Sequence, residues 1–442
     1  MPGQLRLGEL GTTRLSARDK GIPDRAVGMT VAEFLASGPR LSEFWTPIVA
    51  LDGERIRHNL TVMGRWCAER GLELMPHGKT TMAPSLWQQQ LDAGSLGITL
   101  ATMGQVRTAR SFGLASIMLA NSVVDERSLA YLAGELADPE LRFVCWADSI
   151  ETLEAMERGL RRAGTPRPVD VCVELGAPGG RTGARTVAEA HDVARRAAAS
   201  DVLRLAGVSG YEGSLAHDRS EESLAAVRSY VERQVELHRD LEELYDGEGD
   251  LYVTAGGSAY PDVVADVYGS AMADDPRTGD SRTGGPRTLW TLRSGAYITH
   301  DDGFYRQISP FDEGSARAAG PATASRLRSA MRGVARVVSH PERGLALLDG
   351  GKRDFPFDEG LPVPRGVAAD LDGAWAPLAE ASILAMNDQH SYLGLAGQDV
   401  SMGSVVALGL SHPCTTFDKW RFLPVVASQD DDRVVDLVQT FF

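Results

Sequence analysis

The sequence predicts an α/β protein in which a (β/α)8 barrel of the TIM type is followed by a smaller, mostly β domain. Within the first 255 residues, short apolar runs rich in β-branched residues alternate with helix-like segments. The runs are apolar throughout, which is typical of parallel strands covered on both faces. Beyond residue 330, short β-type segments follow one another without long helices between them. Alternating strands and helices predict a parallel sheet, and the later pattern predicts a separate β domain.

Eight apolar runs supply the strands of the predicted barrel. They cover residues 46–51, 72–75, 97–101, 115–119, 141–146, 169–175, 203–208 and 251–254. Helix-like segments lie between them, at residues 54–70, 84–93, 104–112, 149–162, 187–199 and 221–245. Eight such units close into a barrel. A doubly wound open sheet is the alternative, although no GxGxxG motif follows the first run to indicate its dinucleotide-binding version.

Domain boundaries follow from where this alternation starts and stops. Residues 1–45 form an N-terminal segment that we expect to join the β domain, residues 46–300 form the barrel, and residues 301–442 form the β domain. Residues 275–288 repeat Pro-Arg-Thr or Arg-Thr-Gly units and are too polar to pack, so we predict a flexible insertion there. Predicted strands of the β domain cover residues 333–339, 345–348, 382–387, 404–410 and 421–426.

Composition and charge limit the partners and the compartment. The chain has 442 residues and a formal net charge of −15, which argues against binding to nucleic acid or to an anionic membrane. No apolar stretch reaches the roughly 18 residues of a membrane-spanning helix, and the start of the chain contains no apolar signal-peptide core. The four cysteines are widely spaced and form no CxxC pair. We therefore expect a protein of the reducing cytoplasm that acts on a small molecule.

Lys79 is the first candidate for catalysis. The chain has only four lysines among its 45 basic residues, and Lys79 lies beside His77 and Gly78 at a predicted strand-to-helix turn. An amine in such a turn can be desolvated and can attack a carbonyl group, as the lysines that form Schiff bases do. An ordinary solvated lysine on a loop explains the same pattern equally well.

Glycine-rich loops follow the later predicted strands, where the active sites of barrels lie. Residues 174–183 and 209–213 follow the sixth and seventh strands, and Gly256, Gly257 and Ser258 follow the eighth. Bare backbone N–H groups at the start of a helix bind phosphate, so these three residues are a candidate phosphate site. A plain turn is the alternative, because a Gly-Gly-Ser sequence alone is a weak signal.

His412 and Cys414 are the candidate metal ligands of the second domain. On an extended segment, side chains two residues apart point the same way, so both could bind one soft metal ion such as zinc. A catalytic zinc site usually has three protein ligands. His390 is a candidate for the third, with water completing the set. The alternative is that the two residues are unrelated and lie at the end of a strand.

Together, the His-Gly-Lys-Thr motif around Lys79, the barrel, the glycine-rich loop and the late His-x-Cys resemble the fold-type III pyridoxal-phosphate enzymes. The resemblance covers most of the chain after about residue 45. It is to the D-serine dehydratase-like and D-threonine aldolase branch, whose bacterial members are often called amino acid deaminases and whose barrel is shared with the N-terminal domain of alanine racemase. It implies that Lys79 holds pyridoxal 5′-phosphate as a Schiff base and that His412 and Cys414 bind Zn2+. Dehydratases of the family have His-x-Cys at this point and aldolases resemble His-x-Asp, so Cys414 favours a dehydratase.

The resemblance also implies roles for further residues around the cofactor. Arg181, in an Arg-x-Gly motif, would lie near the pyridine ring, and Tyr297, in an Arg-x-Gly-x-Tyr motif, would reach the phosphate. The complete set of expected cofactor-binding residues is Lys79, His77, Arg181, Tyr211, Gly256, Gly257, Ser258 and Tyr297. This sequence departs from the family at Gln389, because relatives often have an acid directly before the histidine at that point. Asp388 is the neighbouring acid that could take its place.

These roles imply a lyase. A D-3-hydroxy amino acid such as D-serine would give a 2-keto acid and ammonia, with the Lys79 amine as the base for the α-proton and zinc as the Lewis acid for the departing hydroxyl. The first alternative is cleavage of the D-threonine aldolase type to glycine and an aldehyde. The second is a non-catalytic carrier of pyridoxal phosphate, and a racemase is a further alternative that would need a tyrosine base and no metal. The resemblance further implies a homodimer.

Overall fold

The computed structural model describes residues 3–275, 277–278, 287–312 and 326–442. Its α-helices are α1 (Gly8–Thr12), α2 (Val31–Ala36), α3 (Gly53–Ala68), α4 (Pro84–Asp92), α5 (Met103–Ser111), α6 (Glu126–Glu135), α7 (Ile150–Ala163), α8 (Val187–Ala198), α9 (Glu221–Asp240), α10 (Pro261–Met272), α11 (Phe304–Ile308) and α12 (Pro413–Phe417). Its strands are β1 (Ile48–Asp52), β2 (Glu73–Leu74), β3 (Ile98–Leu100), β4 (Ser116–Leu119), β5 (Arg142–Ala147), β6 (Val169–Leu175), β7 (Leu203–Gly210), β8 (Leu251–Ala255), β9 (Thr288–Leu292), β10 (Met331–Glu342), β11 (Leu345–Leu348), β12 (Val363–Ala368), β13 (Ala376–Pro377), β14 (Ser382–Met386), β15 (Ser391–Gly394), β16 (Val405–Gly409), β17 (Phe422–Ser428) and β18 (Asp431–Gln439).

The chain forms two compact units. The first comprises Gly64–Lys79 and Gln90–Gly295 together with the start of the chain, and the second comprises Arg6–Met63, Thr80–Gln89 and Ala296–Phe442. The predicted barrel covers residues 46–300, whereas residues 46–63, 80–89 and 296–300 belong to the second unit. Most of the predicted insertion at 275–288 lies outside the described residues.

The first unit is a parallel barrel. Strands β2 to β9 form one eight-stranded parallel sheet in the order β2-β9-β8-β7-β6-β5-β4-β3. The two end strands meet, because the Leu96 N–H donates to the Leu74 carbonyl at 2.8 Å and His77 forms a parallel bridge with Thr99. One buried apolar cluster draws members from most of these strands: Met75, Met118, Val144, Trp146, Cys172, Ala206, Tyr252 and Leu289. The predicted (β/α)8 barrel is therefore confirmed.

The identity of two barrel strands differs from the prediction. The run at 46–51 was expected as the first barrel strand, but it forms β1, which pairs with β10 and β17 in the second unit. The eighth barrel strand is β9, which the sequence analysis did not predict. All five residues of β1 are buried, as in the barrel strands, so apolar composition could not show which sheet it joins. The strands predicted as second to eighth are therefore the first to seventh of the barrel.

The second unit contains a mostly antiparallel sheet of ten strands. Its main order is β13-β12-β16-β10-β1-β17-β18. Beside this path, β11 pairs with β10, β15 pairs with β11, and β14 pairs with β15. The pairing of β1 with β17 is parallel, and the other pairings of this sheet are antiparallel. The mostly β domain is therefore confirmed. Among the described residues, no helix has both the length and the apolar character that crossing a bilayer requires.

Candidate active site

Lys79 lies at the carboxyl end of a barrel strand, as predicted. It belongs to a short 3-10 turn, Gly78–Thr80, that follows β2, and it is half-buried. Its amine has no hydrogen-bond or ion-pair partner among the residues that the structure describes. A half-buried amine without a partner is available for condensation with a carbonyl group.

His77 adds an imidazole beside this amine. The backbone N–H of His77 donates to the Arg293 carbonyl at 3.1 Å. The buried Nδ1 atom of its ring has no partner within the described part of the chain. Burial lowers the pKa of His77 well below 6.5, and the positive charges of Lys79, Arg293 and Arg181 lower it further. His77 is therefore a neutral imidazole in a region of positive potential.

Arg293 is a buried cation of the site for which the sequence predicts no role. It follows β9 and is only 1% exposed, so its charge lies inside the barrel. Its Nη1 donates to Thr254 Oγ1 and its Nη2 to the Gly210 carbonyl, both at 2.5 Å, and its guanidinium lies 4.8 Å from the centre of the Trp146 ring. Its Nε has no partner among the described residues. In the sequence it stands only as the first residue of the Arg-x-Gly-x-Tyr motif, and its place inside the barrel was missed because β9, which it follows, was missed.

Arg181 and Tyr211, two expected cofactor residues, lie together. The Arg181 guanidinium is 4.8 Å from the centre of the Tyr211 ring. Both residues line a small cavity together with Glu174, whose carboxylate accepts a hydrogen bond from Thr182 Oγ1 at 2.6 Å. Burial raises the pKa of Glu174, and the bond from Thr182 opposes that shift only in part.

The glycine pair expected to bind phosphate already has an anionic partner. The N–H groups of Gly256 and Gly257 donate to the two carboxylate oxygens of Glu212 at 2.9 and 2.7 Å. The Gly257 carbonyl accepts from Ser294 Oγ at 2.8 Å. The expectation that these N–H groups are bare is therefore wrong, because Glu212, which is fully buried, arrives from the loop after β7. Helix α10 also begins only at Pro261, so the glycines precede it by several residues.

The strand ends of the first unit fit a cofactor that has a carbonyl group for an amine and brings negative charge. Of the buried or half-buried polar atoms that lack partners in the described structure, three follow the neighbouring strands β2 and β9: the Lys79 amine, His77 Nδ1 and Arg293 Nε. Basic side chains thus gather at the ends of the barrel strands, where Glu212 and Glu174 are the balancing acids. Tyr297 is buried and belongs to the second unit, and its contact with a phosphate stays a prediction.

In the second unit, His412 and Cys414 lie at the start of a helix. The His-x-Cys pattern predicts an extended segment, but Pro413 begins α12 and His412 precedes it with a positive φ of 42°. The buried carboxylate of Asp301 holds this conformation, since it accepts the His412 N–H at 3.0 Å as well as backbone N–H groups of Gly303 and Tyr305. The two side chains nevertheless form a hydrogen bond with each other.

A carboxylate orients the His412 ring. Nδ1 of His412 lies 2.6 Å from Asp358 Oδ2, and Thr415 Oγ1 donates to the other oxygen of Asp358 at 2.7 Å. Burial lowers the pKa of His412, but the bond and charge of Cys414 and the charge of Asp358 outweigh it and raise the pKa to about 9. The Cys414 thiol is 3.5 Å from Thr80 Oγ1. Asp358 is a site residue that sequence reasoning missed, because nothing in its local sequence marks it.

His390 does not join this pair. It is exposed in the turn between β14 and β15, and no group of three His, Cys, Asp or Glu side chains suited to a metal occurs among the described residues. Gln389 donates to Asp354 at 3.1 Å, and Asp388 pairs with Arg353 at 3.4 Å. The donor set is thus an imidazole held by a carboxylate plus a thiol. That chemistry fits a zinc ion with open positions for water and substrate.

Comparisons with known proteins agree with this division. Residues 51–259 match the family "Alanine racemase, N-terminal domain" and residues 330–426 match "Putative serine dehydratase domain". A D-threonine aldolase of Arthrobacter sp is 26% identical over 392 residues, which cover 88% of this chain and 91% of the aldolase.

Solved structures share the fold. The D-threonine aldolase from Filomicrobium marinum has a TM-score of 0.72 at 21% identity, covering 91% of this chain and 97% of its own. The D-threo-3-hydroxyaspartate dehydratase from Delftia sp. HT23 has a TM-score of 0.67 at 21% identity, covering 91% and 99%. A cysteine-to-alanine variant of such a dehydratase, described as metal-free, has a TM-score of 0.65 at 20% identity, covering 91% and 99%.

Proposed function

This chain belongs to the fold-type III pyridoxal-phosphate enzymes, and we propose that within this family it is a zinc-dependent lyase. Its substrate is a D-3-hydroxy amino acid such as D-serine. The reaction eliminates water across the Cα–Cβ bond, and hydrolysis of the product then gives a 2-keto acid and ammonia.

Cys414, hydrogen-bonded to His412, is the observation that carries this proposal. A thiolate beside an imidazole is a donor pair that favours zinc over the harder cations that carboxylates prefer. The cysteine-to-alanine variant of the related dehydratase is described as metal-free. A cysteine and a metal are both part of that relative, and through the resemblance of the His-x-Cys motif we extend this association to Cys414 as a proposal.

Residues of the first unit would hold the cofactor. Bound pyridoxal phosphate supplies an electron sink for the charge that develops at the α-carbon. Lys79 would hold it covalently through its amine, and the same amine, once released by the substrate, is the base that takes the α-proton. His77, which burial keeps neutral, can donate or accept one hydrogen bond without adding charge. Arg181 would supply a permanent positive charge beside the ring.

Residues of the second unit would hold the metal. Zinc supplies Lewis acidity toward the hydroxyl that departs from Cβ. His412 is held by Asp358 through Nδ1, which leaves its other ring nitrogen for the metal. Asp301 fixes the backbone of His412 and would thereby set the direction from which the His412 ring approaches the metal.

Retro-aldol cleavage to glycine and an aldehyde is the second candidate function. A D-threonine aldolase aligns with 88% of this chain, which favours this reaction on overall similarity. It needs a base that removes the β-hydroxyl proton instead of an acid that helps the hydroxyl leave. The two functions therefore give different products from the same substrates.

A product assay separates the two reactions. Purified holoenzyme is incubated with D-serine, D-threonine and D-threo-3-hydroxyaspartate, and keto acid, ammonia, glycine and aldehyde are measured separately. We expect keto acid and ammonia in equal amounts, lost after chelation and restored by zinc. Glycine and aldehyde without keto acid would establish the aldolase instead, and activity unchanged by chelation would contradict the role of zinc.

Two variants test the metal pair. Cys414→Ala should lose bound zinc and keto acid formation, while borohydride still fixes the cofactor on the peptide that contains Lys79. His340→Gln is the matched control, since His340 is exposed on β10 and remote in sequence from the pair. Zinc content unchanged in Cys414→Ala would show that the thiol is not a ligand.

A further inference from the structure

The second unit contains a cavity that the proposed reaction does not use. Its volume is about 380 Å3, and its walls come from β1, β10, β12, β16 and β17 together with the start of α3 and neighbouring loops. A volume of this size is in the range of pockets that bind small molecules. Every residue that lines it belongs to the second unit. Lys79, His412 and Cys414 are not among the lining residues.

The acids that reach into this cavity already have partners, apart from the exposed Asp430. Asp302 accepts hydrogen bonds from Arg365 and, at 2.7 Å, from Ser329 Oγ. Asp52 is paired with Arg55, whose Nε lies 3.5 Å from Asp52 Oδ2. Arg55 also donates to the Ser329 carbonyl at 2.7 Å. These contacts neutralise two of the three arginines in the wall.

Arg332 is the third arginine of the wall, and none of these acids pairs with it. It lies on β10, half-buried, and its guanidinium has no hydrogen bond or ion pair with any described residue. It faces the Trp375 ring, with 5.6 Å between the guanidinium carbon and the ring centre. Burial lowers the pKa of Arg332, and the nearby charge of Asp52 offsets this only in part. A guanidinium removed from water without an anion is costly, so an anionic ligand would stabilise it.

The sheet face around Arg332 carries small apolar side chains. Ala50, Ala407 and Val426 lie on it and leave room beside the guanidinium, while Ser329, Gln429 and Asp430 also line the cavity. A ligand that fits therefore has one acidic head for Arg332 and a compact apolar body. A carboxylate suits the head, because its two oxygens match the paired N–H donors of a guanidinium.

We propose that this cavity is a binding site for a small monocarboxylate with an apolar body, held by Arg332 and covered on one side by Trp375. The site is separate from the proposed lyase chemistry. Such a ligand would bind whether or not the enzyme turns over.

Calorimetry on the full-length holoenzyme tests this proposal. Phenylacetate is the probe, since it has the carboxylate and the apolar ring but no amine with which to enter the lyase reaction. Phenylacetamide is the neutral control. We expect phenylacetate to bind with one equivalent per chain and phenylacetamide to bind at least about tenfold more weakly, as the loss of a charged bidentate pair predicts.

Arg332→Gln should weaken phenylacetate binding at least about tenfold, and Trp375→Leu should weaken it by a smaller factor. Arg433→Gln is the matched control, because Arg433 is exposed and paired with Asp431, and it should bind like the wild type. Equal affinity in the wild type and Arg332→Gln would overturn the proposal, as would the absence of binding at millimolar phenylacetate. Tighter binding of inorganic phosphate than of phenylacetate would overturn the assignment of a carboxylate with an apolar body.

Discussion

The barrel leaves polar groups of its candidate site without partners, whereas the β domain satisfies those of its own. In the barrel, the Lys79 amine and His77 Nδ1 have no partner among the described residues. In the β domain, His412 and Cys414 bond to each other, and Asp358 holds the His412 ring. Free buried donors are typical of a site built for a large ligand that brings its own acceptors. A bonded donor pair is typical of a site that binds one ion.

The same contrast appears in the histidines. Burial and the surrounding cations lower the pKa of His77, whereas the thiol and the carboxylate raise that of His412 to about 9 against the effect of burial. At neutral pH the barrel histidine is therefore neutral and the metal-free β-domain histidine is charged. Residue type alone decides neither state.

Replacing the amine should have the largest effect. Lys79→Ala should lower lyase activity by about 10³-fold or more, because it removes both the covalent anchor and the base. Absorbance of the bound cofactor and borohydride labelling should be lost as well. Lys352→Ala, which removes another of the few lysines, is the control and should keep all three properties. Cofactor that is still bound covalently in Lys79→Ala would contradict the role of Lys79 as the anchor in the barrel.

Acid should weaken the barrel through a second buried histidine. Burial lowers the pKa of His238 from 6.5 to about 4, and its Nδ1 lies 2.8 Å from the Tyr245 hydroxyl. Because the folded-state pKa lies below the unfolded one, this contribution is complete above pH ~6.5 and is lost as the pH falls toward 4. The difference amounts to about 3 kcal/mol in the free energy of unfolding.

Urea unfolding at a series of pH values measures this loss. His238→Gln should remove most of the pH dependence between about 6.5 and 4, whereas the same change at the exposed His340 should leave it unchanged. A pH dependence that persists in His238→Gln would show that another group titrates.

Glu212→Gln should loosen the glycine pair of the barrel. A glutamine keeps one acceptor but turns an NH2 group toward the second N–H, so one of the two bonds to Gly256 and Gly257 is lost. At about 2 kcal/mol for a bond to a charged acceptor, we expect the free energy of unfolding to fall by about 2 kcal/mol. Urea unfolding measures it, and Glu232→Gln on the exposed face of α9 is the control. Unchanged stability would mean that Glu212 does not hold the glycine pair.

The smallest effect should follow from removing the carboxylate that orients the metal ligand. Asp358→Asn should weaken zinc binding by about tenfold, the lower end of what loss of such an outer partner causes. Competition with a metal-sensitive dye measures the affinity. Asp388→Asn, at an exposed pair with Arg353, should bind zinc like the wild type. If Asp358→Asn and Asp388→Asn bind zinc with equal affinity, the contact of Asp358 with His412 does not contribute to zinc binding.

The motif around Lys79 could be found from sequence because its residues are adjacent in the chain. The barrel could be predicted because alternating apolar runs and helices repeat along it. β1 was assigned to the wrong sheet, since an apolar β-branched run looks the same in either. Arg293 was part of the motif around Tyr297, but its place inside the barrel was missed because it follows a strand that begins inside a polar, glycine-rich stretch.

By itself, the sequence determined the two kinds of sheet, the scarce amine at the end of a strand and the His-x-Cys pair, because each is written in neighbouring residues. Only the tertiary structure decided which groups face them. Glu212 meets Gly256 from 44 positions away, and Asp358 meets His412 from 54 positions away. Pairs so distant in the chain are brought together by strand order and loop conformation, which depend on the packing of the whole unit and not on any local pattern.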